Sequence, residues 1–493
     1  MNNLSKDSVS LVYLNDTVFA KNDRPMNRLW YFDIQIKEEN KKAVYIQITD
    51  AIIAAIKNGR LKPQEALPST RKLATIIGVN RNTVLKALDI LIAEGWLISK
   101  DRIGIFAASV SIQDHRSKDK NSTLAPVHKK AVVVLDDGVP NTQIAPIKEL
   151  ASAYRRVFSL KSRRTILGYT GSLGGLKFRA IIAQMLNHRR GMQVSDDEIC
   201  ITRGSQMALY LTAQCLLTEG DLVLVESPGY RPASAVFINA GAQVMPIEVD
   251  QDGIVVEKVE QAILKHSNIQ AIYLTPHHQY PTTVTLSLKR RLRLAELAQA
   301  HNFIIIEDDY DHEFHFDNRP ILPIASYMAI KHYIYIGTFS KIVAPALRVG
   351  YLVASSDFIQ KVGALRTIID VQNDPIMEQA IVELVREGAI KRHIKRAAKY
   401  YKDKRQYFEG LLKTHLGDKV DYTVPTGGLA FWVRPKKEIK LSDLVANLEK
   451  SNLQIKDISN YNSTTLVQGL RLGYGSIEKE ELEMAILQLS KCL

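Results

Sequence analysis

After about residue 131 the chain alternates short apolar runs with longer helical patterns. "DLVLVESP", "AIYLTP", "FIIIEDDY" and "YIYIGTFSK" read as strands, and "LSLKRRLRLAELAQAH" reads as a helix between two of them. This alternation constrains the chain more than any other feature. It specifies an α/β domain with a mostly parallel central sheet. In such sheets ligands bind beyond the C-terminal ends of the strands. The polar groups that fall there are Glu226 to Tyr230, Thr275 to Gln279, Asp308 to Tyr310, and Ser340 with Lys341.

The first hundred residues follow different rules. "AVYIQITDAIIAAIKN" places Val44, Ile48, Ile52 and Ile56 at helical spacing before a stop at Gly59. "LPSTRKLATIIGV" opens a second helix at Ser69 and ends it at the turn glycine, Gly78. "NRNTVLKALDILIAEGW" opens a third helix at Asn80, with Val84, Leu88 and Leu91 on one face. "WLISKDRIGIFAA" then makes two short strands around Lys100-Asp101-Arg102. Three helices followed by a basic hairpin form a winged helix-turn-helix, whose third helix enters the DNA major groove. Arg81, Asn82, Thr83 and Lys86 occupy the start and polar face of that helix and are placed to read bases. Ser69, Thr70 and Arg71 are placed to meet phosphate at the preceding helix N-terminus, and Lys100 and Arg102 sit at the wing tip.

Charge agrees with a polyanion partner. Residues 1–130 hold 21 Lys and Arg against 13 Asp and Glu, so most of the net +13 sits in about a quarter of the chain. A length of 493 residues exceeds one ordinary core. The expected division is an N-terminal arm (1–40), the DNA-binding domain (41–108), a polar linker (109–130) and the α/β domain (131–493). The linker "SIQDHRSKDKNSTLAPVHKK" is long enough to let the two halves move independently. Apolar stretches are shorter than a membrane span, and the N-terminus lacks a signal-peptide core. Three scattered cysteines make neither a disulfide framework nor a metal pattern. The expected compartment is the cytoplasm, with no membrane partner.

The strand ends of the second domain combine an amine, a carboxylate, a phenol, an aromatic plate, hydroxyls and a guanidinium. That inventory meets the needs of pyridoxal 5'-phosphate. Its aldehyde requires a lysine to form an internal aldimine, and its pyridine nitrogen stays protonated beside a carboxylate. Its phosphate favours hydroxyls, an arginine and a helix N-terminus such as "GSQMALYL". Two other readings are weaker. "DDYDHEFH" brings Asp308, Asp309, His312 and His315 close in sequence, but strand alternation sends them to opposite faces, against a metal site. "GSLGGL" lacks the preceding strand that a dinucleotide loop needs.

Several separated motifs stand in one order: "LPSTRKLATIIGVNRNTVLKALDILIAEGW", "GYTGSLGGLKFRAIIAQMLNHRRGM", "ITRGSQMAL", "ESPGYRPA", "PHHQYPTTVTLSLKRR", "IIIEDDYDHEF", "IGTFSKIVAPALRVGY" and "LRLGYG". On these the chain resembles the MocR-type regulators of the GntR family over roughly residues 40–490. The resemblance implies a winged helix fused to a large fold-type-I aminotransferase-like domain with a smaller C-terminal α+β subdomain. It implies Lys341 as the cofactor-binding lysine, Asp308 as partner of the pyridine nitrogen and Tyr310 as donor to the 3' oxygen. Tyr230 is implied as the stacking ring. Ser205, Gln206, Ser340 and Arg348 match the phosphate cup. Tyr169 matches a position that reaches a neighbouring subunit's phosphate, which implies a homodimer. Arg471 resembles the arginine that grips an effector carboxylate, and Arg231 is a second candidate for that role.

One position departs from the family pattern: Thr283 in "QYPTT" stands where glycine is common. The implied function is a transcriptional regulator that senses an amino acid, an amine or the cofactor itself through aldimine chemistry at Lys341, using the domain for sensing in place of turnover. The alternative is a working aminotransferase with an appended winged helix, because both need nearly the same residues.

Overall fold

The computed structural model describes residues 34, 36, 42–100, 103–108, 133–159, 166–316, 321–456, 461 and 467–493. The expected linker, Arg102 and all of the N-terminal arm except residues 34 and 36 lie outside them. The chain divides into two compact units, Met1–Pro126 and Val127–Leu493.

In the first unit, helices α1 (Val44–Lys57), α2 (Thr70–Ile77) and α3 (Arg81–Ala93) precede a hairpin of β1 (Leu97–Lys100) and β2 (Gly104–Ala107). Local chemistry sets the helix ends. Ser69 Oγ accepts the Lys72 N–H at 3.4 Å, Asn80 Oδ1 accepts the Asn82 N–H at 2.9 Å, and Gly78 closes α2 at φ 74°. The buried face of α1 is Ile48, Thr49, Ile52 and Ala55, while Val44 at the start of the expected stripe is exposed. Val84, Leu88 and Leu91 of α3 are buried as their spacing requires, and Ile34 joins the same core.

The second unit is built on an eight-stranded sheet. Its strands are β4 (Ile199–Thr202), β5 (Leu222–Ser227), β6 (Gln243–Asp250), β7 (Gly253–Ile254), β8 (Ile269–Leu274), β9 (Ile304–Asp309), β10 (Tyr333–Thr338) and β11 (Gly350–Val353). Their order is β4-β11-β10-β9-β8-β5-β6-β7. The pairs from β10 through β9, β8 and β5 to β6 are parallel, and β11 runs antiparallel to both its neighbours. Strand β9 is buried along nearly its whole length, and β10 throughout, so both read as continuous apolar runs.

A smaller C-terminal portion holds an antiparallel sheet of β12 (Val420–Tyr422), β13 (Ala430–Pro435) and β15 (Leu470–Gly473). A separate pair joins β3 (Val133–Leu135) to β14 (Leu453–Ile455) in parallel. Residues at the start of the unit thus belong to the core formed mainly by its end, with Leu135, Leu453 and Leu482 in one cluster. The Asp136–Gly138 turn leaves β3 from that core and reaches the site described below.

Candidate cofactor and effector site

Strands β8, β9 and β10 end at one cavity of about 490 Å³. Six of the residues singled out from sequence line it: Ser205, Tyr230, Asp308, Tyr310, Lys341 and Arg471. Four others share the lining without having been assigned a role: Asp137, Tyr273, Thr275 and Tyr280.

Asp308 is 4% exposed. Its Oδ2 accepts the Tyr273 hydroxyl at 3.0 Å, and its Oδ1 is buried with no hydrogen-bond partner among the described residues. Burial pushes its pKa up to about 7; the Tyr273 bond opposes this, and Asp309 and Asp311 reinforce it. A buried carboxylate oxygen with an unfilled acceptor site demands a donor, and a protonated pyridine nitrogen is one. Asp309, the next residue, turns elsewhere: it pairs with Arg190, and its Oδ2 accepts the Tyr335 hydroxyl at 2.6 Å. Strand alternation therefore gives one of these carboxylates to the cavity and the other to a buried ionic cluster.

Lys341 Nζ donates to the Gly138 carbonyl at 2.7 Å. Burial lowers its pKa, against the pull of Asp137, Asp136 and Asp311 toward the charged form. Such a shift favours a nucleophilic amine. The Tyr310 hydroxyl donates to the His278 carbonyl at 2.9 Å and accepts from Arg471 Nη2 at 3.1 Å. Arg471 is 2% exposed. Its Nε donates to the Asp137 carbonyl at 2.7 Å, its Nη1 to the Pro281 carbonyl at 2.9 Å, and its guanidinium lies 4.7 Å from the Tyr280 ring centre.

The remaining expected residues fall around this centre. The Tyr230 hydroxyl reaches Gln206 Oε1 at 3.4 Å, which brings Gln206 to the cavity edge. The Ser340 hydroxyl is buried without a hydrogen-bond partner among the described residues. Helix Ser205–Leu216 begins at Gly204, φ 84°, with no side-chain cap, leaving its first amides for an anion. Arg348 is exposed, donates from Nη2 to the Arg203 carbonyl at 3.2 Å, and lines a neighbouring cavity. A Cβ on Gly204 would stand 2.6 Å from Arg348 Nη2, so glycine is what lets the guanidinium lie across the helix start. Tyr169 is 90% exposed and Arg231 is also exposed; neither lines the cavity. Thr283 has φ 64°, the left-handed conformation that a β-branched residue resists.

Asp137 and Tyr273 carried no signal of their own. Tyr273 reads as a packing residue inside a strand, and Asp137 lies more than two hundred residues from the lysine it faces. The pair of acidic residues in "LDDGVPN", at the end of an apolar run, was the available hint.

On the first unit, Ser69, Arg71, Arg81 and Asn82 are exposed, and Thr70 and Thr83 are half-buried. Lys86 Nζ sits 4.0 Å from the Tyr45 ring centre and Lys100 Nζ 4.8 Å from that of Phe106. Each of these two cations is thus held over a ring of its own unit, leaving Arg71 and Arg81, among the described residues, as the basic side chains least committed within the expected surface.

The chain belongs to the aminotransferase class I and II family, whose model matches residues 130–489, and residues 44–107 match the gntR family of bacterial regulatory proteins. Together these two domains are those of the MocR-type regulators. The probable rhizopine catabolism regulatory protein MocR of Rhizobium meliloti is 26% identical, covering 90% of this chain and 92% of its own. The HTH-type pyridoxine biosynthesis transcriptional regulator PdxR of Corynebacterium glutamicum is 27% identical, covering 93% and 97%. Among solved structures, the kynurenine aminotransferase of Pyrococcus horikoshii, in complex with PMP, has a TM-score of 0.69 at 27% identity, covering 74% of this chain and 91% of its own. Pyridoxal 5'-phosphate is the cofactor of this class, and the bare Asp308 Oδ1, the buried amine and the uncapped helix start fit it.

Proposed function

We propose that this protein regulates transcription by binding DNA through residues 43–107 and sensing an amino compound at Lys341. The observation that carries the reading is the convergence of Lys341, Asp308, Tyr310 and Arg471 on one cavity in a chain that also bears the gntR unit. Regulators align along nearly the whole chain, which favours sensing over a plain aminotransferase.

In this reading Asp308 Oδ1 would accept the pyridine N–H, Tyr273 would hold Asp308 in place, and the Tyr310 hydroxyl would turn from the His278 carbonyl to donate to the 3' oxygen. Tyr230 covers a ring face. Ser205, Ser340, Arg348 and the amides at the start of helix Ser205–Leu216 take the phosphate. Bound there, pyridoxal 5'-phosphate supplies an electrophilic carbon for which Lys341 Nζ and an incoming primary amine compete. Arg471 exchanges its carbonyl acceptors for an effector carboxylate. The DNA partner, the homodimer and the amino-acid or amine effector belong to the proposal. Tyr169, exposed and outside the cavity, supports a reach toward a second subunit. Differential affinity of the effector for two states of the protein drives the response.

The test is the visible spectrum of the purified protein during titration with amino acids and amines, run beside a promoter-binding assay. One compound should shift the cofactor band stably and change DNA binding, and Lys341→Ala should abolish both responses. Effector-dependent promoter control that survives Lys341→Ala would overturn covalent sensing. A shift that decays to the pyridoxamine spectrum would establish transamination instead.

A further inference from the structure

The cavity contains one charged group that the proposed cofactor and carboxylate sites leave without a role, the Asp137 side chain. Its loop is held closely. Three successive carbonyls are engaged at 2.7 Å each: Asp136 by the Gly473 N–H, Asp137 by Arg471 Nε and Gly138 by Lys341 Nζ. Asp136 Oδ1 also accepts the Gly138 and Val139 amides at 2.7 and 2.8 Å. The Asp137 backbone is therefore fixed at the cavity wall. The opposing charges that act most strongly on its carboxylate are Lys341 and Arg471, and among the described residues neither makes an ion pair or hydrogen bond with that carboxylate.

Three cations, Lys341, Arg471 and Lys456, balance this carboxylate. Burial works to raise its pKa, and Lys341, then Arg471 and Lys456, together with the residue's own amide, outweigh burial and hold it below the ordinary value. Loading would weaken that balance. An effector carboxylate would neutralise Arg471, and Lys341, displaced by the effector amine, would stand as a buried amine whose surroundings disfavour its charge. Asp137 would then be an undercompensated charge in the cavity lining, with the exposed Lys456 as its remaining cation, an arrangement that disfavours any ligand leaving it so.

We propose that Asp137 selects the effector, and that the favoured class is a diamino monocarboxylate whose carboxylate rests on Arg471 and whose second, unreacted ammonium pairs with Asp137. This deepens the proposed sensing at Lys341 and rests on it. A dicarboxylate brings a second negative charge to Asp137 and is the least favoured class. A neutral side chain of equal length leaves Asp137 unpaired and falls between.

The experiment compares compounds that differ by one group. L-Ornithine and L-norvaline share a carbon skeleton, as do L-lysine and L-norleucine, and L-glutamate supplies the opposite charge. Dissociation constants for the full-length, cofactor-loaded protein are measured from the absorbance band and, independently, by calorimetry. At least one diamino compound should bind about tenfold or more tighter than its neutral twin, with glutamate weakest. The ratio within the twin pair, measured on the same variant, should fall to about twofold or less in Asp137→Asn and persist in Asp137→Glu. A ratio near one in the unaltered protein, or a ratio that Asp137→Asn leaves intact, overturns the assignment to Asp137 while leaving sensing in place. No binding by any of the five compounds overturns this assignment, and an unchanged spectrum with every other primary amine as well overturns the sensing reading beneath it.

Discussion

Replacing Thr283 with glycine should stabilise this protein, although it deletes a side chain. Thr283 has φ 64°, and an L-residue in the left-handed region loses about 1–2 kcal/mol, which glycine does not. Against that gain, glycine frees the unfolded chain, which costs about 0.5–1 kcal/mol. The bond from the Thr283 N–H to the Gln279 carbonyl, 2.7 Å, involves only backbone and survives. The net expectation is a gain of about 0.5–1 kcal/mol. Its neighbour supplies the control. The Thr282 hydroxyl donates to Gln279 Oε1 at 2.5 Å. Thr282→Gly loses that bond, about 1 kcal/mol, as well as the glycine entropy, so it should destabilise by about 1.5–2 kcal/mol. Urea unfolding of the cofactor-free protein at constant m reads both changes as opposite shifts of the midpoint. Shifts of the same sign, or a loss of stability in Thr283→Gly, would refute the strain argument.

The Asp308 carboxyl, raised to about 7 from 3.8, binds its proton in the folded state at pH values where the unfolded chain has released it. Its contribution is therefore fully present below about pH 4 and is lost as pH rises through 7. Without cofactor, the stability of the unaltered protein relative to Asp308→Asn should fall over that window, measured as urea midpoints from pH 4 to 8; a flat difference would contradict it. With cofactor, Asp308→Asn should weaken binding about a hundredfold or more, because it leaves a buried pyridine N–H without its anionic partner; equilibrium dialysis measures this. Asn80→Ala removes the acceptor for the Asn82 N–H and should cost the first unit about 1 kcal/mol in thermal or urea unfolding. Arg81→Ala should reduce promoter affinity by about tenfold, with a smaller salt slope if Arg81 meets phosphate and altered base preference if it reads sequence; an unchanged affinity would remove it from the interface.

Much of the architecture was legible because local rules and the global fold agree. Ser69, Gly78 and Asn80 delimit helices by hydrogen bonds and dihedral angles that act within a few residues. Strands β5, β8, β9 and β10 announced themselves as apolar runs, and chemistry at their ends follows from parallel-sheet geometry. That reasoning reached Lys341, Asp308 and Tyr310 from residue type and position alone. Other features have no local signature. Pairing of β3 with β14 joins Val133 to Leu453, and this long-range contact carries the Asp136–Gly138 turn to Lys341. The partner of Asp308 is Tyr273 on the neighbouring strand, chosen by register. The contact of Lys86 with Tyr45 depends on how α1 crosses α3. The sequence alone thus determined the two-part organisation, the element types and the candidate site residues, because each depends on short-range periodicity and side-chain chemistry. Only the tertiary structure decided which carboxylates line the cavity and which oxygen stands bare, because strand register and long-range pairing set those distances.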